Sequence, residues 1–327
     1  MTIKRFSFLL SHLHLNDDSR EPKRNETGYD KLYKVKPVLN ILYETYTHFY
    51  NPTVNQSIDE SMIKFKGRSS MKQYMPMNPI KRGYKVWVKA DENGYVCEFH
   101  IYTGKVGNKT ENLLGERVVK DVNRTLVHKK YRIFFDNFFT TVNLMSSLLT
   151  DWIFACGTVG KDRKDLPKKQ CSEKNMSSGE SQFRNSYKGV RCLKWIVKTA
   201  ISFLSNYHDS SVILQVTRRQ KDGSLKVVTF PQMAKDYNSY MGCVDKADML
   251  YEISRKSKKW FHRLFWYFVD VTIVNAFILY KLLFPEKTFL LKDFRLSVVD
   301  HMIGVPNRAK SGRPVTEPSL KPKKLGL

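Results

Sequence analysis

Cysteine is scarce in this chain. Five are spread over 327 residues, at Cys97, Cys156, Cys171, Cys192 and Cys243, with no CxxC pair and none after Cys243. An odd, scattered set excludes a disulfide framework, fits a reducing compartment and offers no zinc spacing. Cys97 and His100 are three apart, but on a strand those positions face opposite sides. Acid is in deficit too: 31 Asp and Glu stand against 56 Lys and Arg, a net charge of +25. That excess runs along the whole chain and points to a polyanionic partner, most readily nucleic acid. No secretory pattern opens the sequence. Long apolar runs are nearly absent. Leu264–Phe284 is the exception, interrupted by Asp270, Asn275 and Lys281. Its length fits a bilayer. Asp270 would cost about 2.5–3.5 kcal/mol at mid-membrane, so a helix buried in protein, with no membrane partner, is the expectation.

The most telling stretch is Tyr131-Arg-Ile-Phe-Phe-Asp136-Asn-Phe-Phe-Thr140. Ile133 to Phe135 form a short apolar run, as a buried strand does. Phe138, Val142, Met145 and Leu149 then recur at helical spacing, with Asp136 and Asn137 at the helix-cap position. Asp136 is therefore a helix cap or a functional carboxylate at the carboxyl end of a strand, the edge where open α/β sheets bind ligands. Tyr84–Asp91 is an alternating strand that also ends in aspartate. Glu92-Asn93-Gly94 turns it back into Tyr95–Tyr102. Far downstream, Asp245 and Asp248 are three apart at the head of a helical pattern and share a face. Carboxylates converging from strand ends and a late helix suit a pair of divalent cations, roughly 3.5–4 Å apart. Magnesium prefers such oxygen ligands.

In order, the chain predicts a helix near Met1–Leu15, a polar loop to Asp30, and a helix from Pro37 to Phe49. Ser57–Arg68 is short and charged, a strand or an extended arm, with Lys64, Lys66 and Arg68 alternating. Lys72, Lys81 and Arg82 add basic surface. Strands at 84–91, 95–102, 131–136 and 153–159, with helices at 114–128 and 138–149, give the order β-β-(β)-α-β-α-β. That is an α/β fold: a mixed sheet flanked by helices, as in ribonuclease-H-like proteins. Residues 161–233 form a basic, β-rich insertion with alternating segments at 191–198, 212–218 and 226–230. Residues 234–249 return to the core. Arg255-Lys-Ser-Lys-Lys-Trp260 precedes the long apolar helix, and 301–327 is a basic, disordered tail with a weak nuclear-localisation pattern at Lys321-Pro-Lys-Lys324.

Ile58-Asp-Glu60, Phe65-Lys-Gly-Arg68, Tyr74-Met-Pro76, Asp91 with Tyr95, Phe135-Asp-Asn137, Gly157-Thr-Val159, Met241-Gly-Cys-Val-Asp245, Asp248 and Arg255-Lys-x-x-Lys-Trp260 occur in one order over almost the whole chain. In that order they resemble the piggyBac-type transposases and the host proteins derived from them. The resemblance implies a DDD nucleotidyl transferase, cutting and pasting DNA at TTAA with two Mg²⁺ or Mn²⁺ ions. By motif match it implies Asp91, Asp136 and Asp245 as metal-binding catalytic residues, with Asp248 as a fourth acid beside them. Lys66, Arg68, Lys72, Arg255, Lys256, Lys259 and Trp260 would meet double-stranded DNA. It also implies a homodimer in the nucleus. Residues 1–83 and 250–300 would form an all-α dimerisation and DNA-binding domain around the core at 84–160 and 234–249.

Several departures from the family pattern stand out. Cys243 replaces the second glycine before the third aspartate, and Asn78 replaces a common lysine before Pro79. The cysteine-rich zinc module and the acidic N-terminal arm are lacking, so no zinc is expected in this chain. The expectation is a truncated copy or a domesticated derivative, and an idle DNA-binding protein is the alternative to an active transposase. A serine hydrolase built on Ser205, His208 and Asp209 is disfavoured. Those residues are too close in sequence to converge, and no nucleophile elbow accompanies them.

Overall fold

The computed structural model describes residues 1–104, 113–167, 176–209, 211–219, 223–250, 257 and 259–304. Its elements in chain order are α1 (Ile3–Ser11), α2 (Lys36–His48), β1 (Asn55–Lys64), β2 (Gln73–Tyr74), β3 (Arg82–Asp91), β4 (Val96–Ile101), α3 (Leu114–Asn123), β5 (Arg132–Phe135), α4 (Val142–Thr150), β6 (Phe154–Thr158), β7 (Ser181–Asn185), β8 (Arg191–Ile196), β9 (Ala200–Ser205), β10 (Ile213–Arg219), β11 (Leu225–Pro231), α5 (Gln232–Tyr240), α6 (Cys243–Asp248), α7 (Trp260–Leu283) and α8 (Leu291–Met302). The chain divides into two compact units, 1–279 and 280–327.

Nine strands of the first unit make one mixed sheet, in the order β3-β1-β5-β6-β9-β8-β7, with β2 and β4 both paired to β3. β1, β5 and β6 run parallel to one another, and the remaining neighbours are antiparallel. Side chains alternate across a strand, and β5 shows the result. Ile133 and Phe135 pack with Val118, Val122, Leu144 and Leu148 on one face. Phe134 packs with Leu193, Phe203, Met233 and Ala234 on the other. Helices therefore cover both faces, as parallel strands require.

β1 is the main surprise. Residues 55–64, whose segment from Ser57 reads as a strand or an extended arm within a region expected to be all-α over 1–83, form a central strand. β7 and β9 extend the same sheet out of the insertion, whereas β10 and β11 pair only with each other. The helix expected from residue 138 begins at Val142, because Thr141 caps it through a 3.1 Å bond from the Leu144 N–H. Asp136 is thus not its cap.

The long apolar helix α7 is long and apolar enough to cross a membrane. In this fold it lies against β4. Phe268 packs on Phe99 at 4.2 Å between ring centroids, and Tyr46 Oη is 2.8 Å from Thr272 Oγ1. The buried Asn275 amide accepts from Val96 N–H at 2.9 Å and donates to Val96 C=O at 3.0 Å. Buried backbone groups left without partners are costly, so Asn275→Leu is expected to destabilise the fold by about 2–4 kcal/mol. An unchanged urea midpoint would count against this docking.

In the second unit, Tyr280 contacts the rings of Phe284, Phe289 and Phe294, each at 5.1–5.6 Å between centroids. Residues 305–327, including most of the expected basic tail and Lys321–Lys324, lie outside the described residues.

Candidate active site

The parallel strands β1 and β5 pair Ile58 with Phe135. Asp59 and Asp136 come next on each strand, so they emerge side by side at one edge of the sheet. β1 is buried through Ile58 and opens to partial exposure at Asp59 and Glu60. Burial pushes the Asp59 carboxyl up to about 7, against the Glu60 N–H that it accepts at 2.8 Å. The charges of Glu60, Asp136 and Asp245 push it further in the same direction. Asp136 is raised as well, mainly by burial, while the Phe138 N–H at 2.9 Å favours its charged form. Glu60 opposes its ionisation and Lys85 favours it. Lys85 is itself buried, 3.5 Å from Glu60 and 4.9 Å from the Phe138 ring centroid.

Asp245 and Asp248 arrive on α6. The Val244 N–H donates to Ser57 Oγ at 3.3 Å, and Lys246 reaches the Glu92 carbonyl at 2.7 Å. Asp248 accepts from Ser61 Oγ at 2.9 Å, and Ser61 is met in turn by Tyr267 Oη at 3.1 Å. Burial, with Asp245 nearby, lifts Asp248 to about 6 despite the Ser61 bond. Cys243 opens α6 and is not among the described residues with left-handed backbone. Cysteine in place of the family glycine therefore strains nothing at that turn.

Asp91 is placed differently from expectation. It is fully buried, and both its oxygens are taken. Oδ2 accepts from Tyr50 Oη at 2.6 Å and from Thr53 N–H at 3.3 Å. Oδ1 accepts from Asn93 N–H and Tyr95 N–H, each at 3.0 Å. This carboxylate caps the β3–β4 turn, whose Gly94 takes a φ of +82° that favours glycine. Asp59 is the acid that feels the charges of Asp136 and Asp245. Its signal was present in Ile58-Asp-Glu60, a family match in a strand-capable segment.

Among the expected DNA contacts, Lys66 and Arg68 are exposed in the loop after β1. Lys72 spends its ammonium on the Gly67 carbonyl at 2.8 Å, and Lys259 on the Ser11 carbonyl at 2.5 Å. Trp260 begins α7, half-buried, its ring edge-on to Phe261 at 5.9 Å. Arg255 and Lys256 lie outside the described residues. Beside Asn137 opens a cleft of about 660 Å³ whose border is mixed in charge, with Lys161, Arg163 and Lys164 beside Glu116, Asp162 and Asp165.

Ser205 and His208 do form a chain of polar contacts, with Asp236 in place of Asp209. Ser205 Oγ is 2.8 Å from His208 Nδ1, and His208 Nε2 is 3.0 Å from Asp236. Ser205 is fully buried and also 3.0 Å from the Ala155 carbonyl. It ties β9 to β6 and cannot meet a substrate.

Fold and site together define an α/β protein with carboxylates at adjacent positions of two parallel strands, in a strongly basic chain. The profile of the family described as Transposase IS4 matches residues 1–277. The chain belongs to that family, in its piggyBac-type branch. The human PiggyBac transposable element-derived protein 3 is 30% identical over 325 residues, covering 95% of this chain and 54% of that protein. The human PiggyBac transposable element-derived protein 2 is 26% identical over 309 residues, covering 89% and 50%. The chain spans about half the length of these relatives. A cryo-EM structure of the piggyBac transposase synaptic complex with hairpin DNA matches with a TM-score of 0.79 at 23% identity, over 96% of this chain and 70% of that one. At this identity the likeness is one of fold.

Proposed function

We propose that this chain carries the core of a metal-dependent DNA strand transferase of piggyBac type. The reading rests on one observation: Asp59 and Asp136 stand side by side where the β1–β5 pairing ends, with Asp59 feeling the charges of Asp136 and Asp245, in a chain of charge +25. The strand order β4-β3-β1-β5-β6 supports a ribonuclease-H-like core, in which β1 would supply the first acid.

The donor chemistry fits Mg²⁺ or Mn²⁺, which take carboxylate oxygens. Among the described residues no three His, Cys, Asp or Glu side chains are gathered as ligands of one ion. Asp59, Asp136 and Asp245 would hold the ions once they close on them. Two such ions supply an activated water or 3′-hydroxyl and neutralise the leaving oxygen of a phosphodiester. The protein's own residues do the remaining work. Ser61 orients Asp248 behind α6, and Lys85 offsets the Glu60 charge next to the Asp59–Asp136 pair. TTAA selection, a homodimer and a nuclear location belong to the same proposal, with no membrane partner.

The test is cleavage of a labelled duplex carrying TTAA, with Mg²⁺ or Mn²⁺ against EDTA, beside Asp136→Asn. Metal-dependent nicking that vanishes in the variant is expected. The alternative, an idle DNA-binding derivative, is favoured by the transposable element-derived human relatives. It predicts binding whose log affinity falls linearly with log salt, without cleavage.

A further inference from the structure

The row of neighbouring positions does not stop at Asp136. β5 pairs Phe135 with Gly157 on β6, so Thr158 stands next to Asp136 as Asp136 stands next to Asp59. Over this third position reaches Tyr237, from α5. Its Oη is 3.4 Å from Thr158 Oγ1, and its ring packs edge-on against Phe203 at 5.5 Å. The Tyr237 hydroxyl lies within the field of both Asp136 and Asp59. Both side chains are half-buried.

The separation of the two hydroxyls is long for an O–H···O bond, whose usual length is about 2.7–2.8 Å. Holding α5 to β6 therefore does not exhaust their donor capacity. Their chemistry also differs from that of the surrounding residues. Carboxylates repel a phosphodiester, and a cationic side chain there would compete with a metal for the same acids. A neutral hydroxyl does neither, and burial keeps Tyr237 protonated, raising it to about 12.

We propose that Thr158 and Tyr237 are positioning residues that donate hydrogen bonds to a non-bridging oxygen of the DNA phosphate presented to Asp59 and Asp136. The assignment rests on the strand-transferase reading for its substrate class, and it adds a phosphate contact made by the third parallel strand and α5. Two hydroxyls facing one side of a phosphorus distinguish its two non-bridging oxygens. A purely structural Thr158–Tyr237 pair does not.

The experiment uses the full chain and TTAA duplexes in which one phosphate at a time across TTAA is a stereopure methylphosphonate. Binding is measured in EDTA. At one phosphate the native chain should prefer one diastereomer by several-fold, up to about tenfold, the worth of an ordinary hydrogen bond to the uncharged methylphosphonate oxygen. Tyr237→Phe and Thr158→Val should each bind both diastereomers more nearly alike, with melting temperatures close to native. If the native chain shows no stereopreference at any position, or if Tyr237→Phe retains it in full, the assignment is wrong. A parallel arm measures Mg²⁺-dependent cleavage of the unmodified duplex. Absence of native cleavage would count against the strand-transferase reading, while the binding arm still decides the phosphate contact.

Discussion

Asp59→Asn should abolish metal-dependent strand cleavage and at the same time make the metal-free protein more stable, while Asp91→Asn should do the reverse. Losing a carboxylate that holds catalytic metal removes several kcal/mol of transition-state stabilisation, a fall in rate of at least about 10³-fold. The stability effect follows from linkage. The folded Asp59 pKa, about 7, is raised above its ordinary value of 3.8. Below the ordinary value both states hold the proton and nothing is lost. As pH rises towards 7, the unfolded chain gives up its proton first, and stability drains away across that window. Above it the full cost of a buried, crowded carboxylate is present. Discounted for partial exposure, that cost is about 1–3 kcal/mol, and Asp59→Asn removes it. The variant's advantage in EDTA should therefore be largest at pH 8 and nearly gone at pH 4. Asp91→Asn instead sets an amide NH₂ against a pocket of four donors. It should cost about 2–4 kcal/mol, with cleavage retained below the melting transition. Melts across pH with single-turnover assays decide it. If Asp91→Asn alone kills cleavage in a folded protein, the site is misassigned.

The same pair of aspartates marks how far the sequence was legible. β3, β4, β5 and β6 announce themselves by apolar runs or alternation, and Asp136 by its position behind one. β1 does not. Its buried positions include Gln56, Ser57 and Ser61, so hydropathy sees a polar arm. Those side chains are used inside the fold: Ser57 accepts from α6, Ser61 donates to Asp248, and Gln56 donates to the Thr53 carbonyl at 3.2 Å. The parallel pairing of β1 with β5 joins segments some 75 residues apart, and nothing local encodes it. Asp91 was attractive because it ends a strand. The turn signal directly behind it, Asn93-Gly94, identifies a carboxylate that caps its own hairpin. Terminal position on a strand is a weak guide to function unless the adjacent position on the neighbouring strand also carries an acid.

Gly157→Ala should cut cleavage by about 10²-fold, although glycine here is not required by backbone conformation. The position lacks a left-handed φ, and what it needs is space. A Cβ there would fall 2.7 Å from the Phe135 carbonyl oxygen and 3.0 Å from the Phe135 ring, and would press on Thr140 Oγ1. Thr140 donates to the Asp136 carbonyl at 2.7 Å, so one methyl group acts on both the strand before Asp136 and the loop after it. Overpacking of this kind costs about 1–3 kcal/mol. A displacement near 1 Å at a reacting group costs about 10²-fold in rate. Thr140→Ala removes the side-chain collision but not the one with the Phe135 carbonyl. The double variant should therefore recover stability in part and cleavage scarcely at all, a non-additive result expected of residues in contact. Native cleavage by a folded Gly157→Ala protein would mean that β5 and β6 can separate without moving Asp136, and the strand-edge geometry would then not be what sets the site.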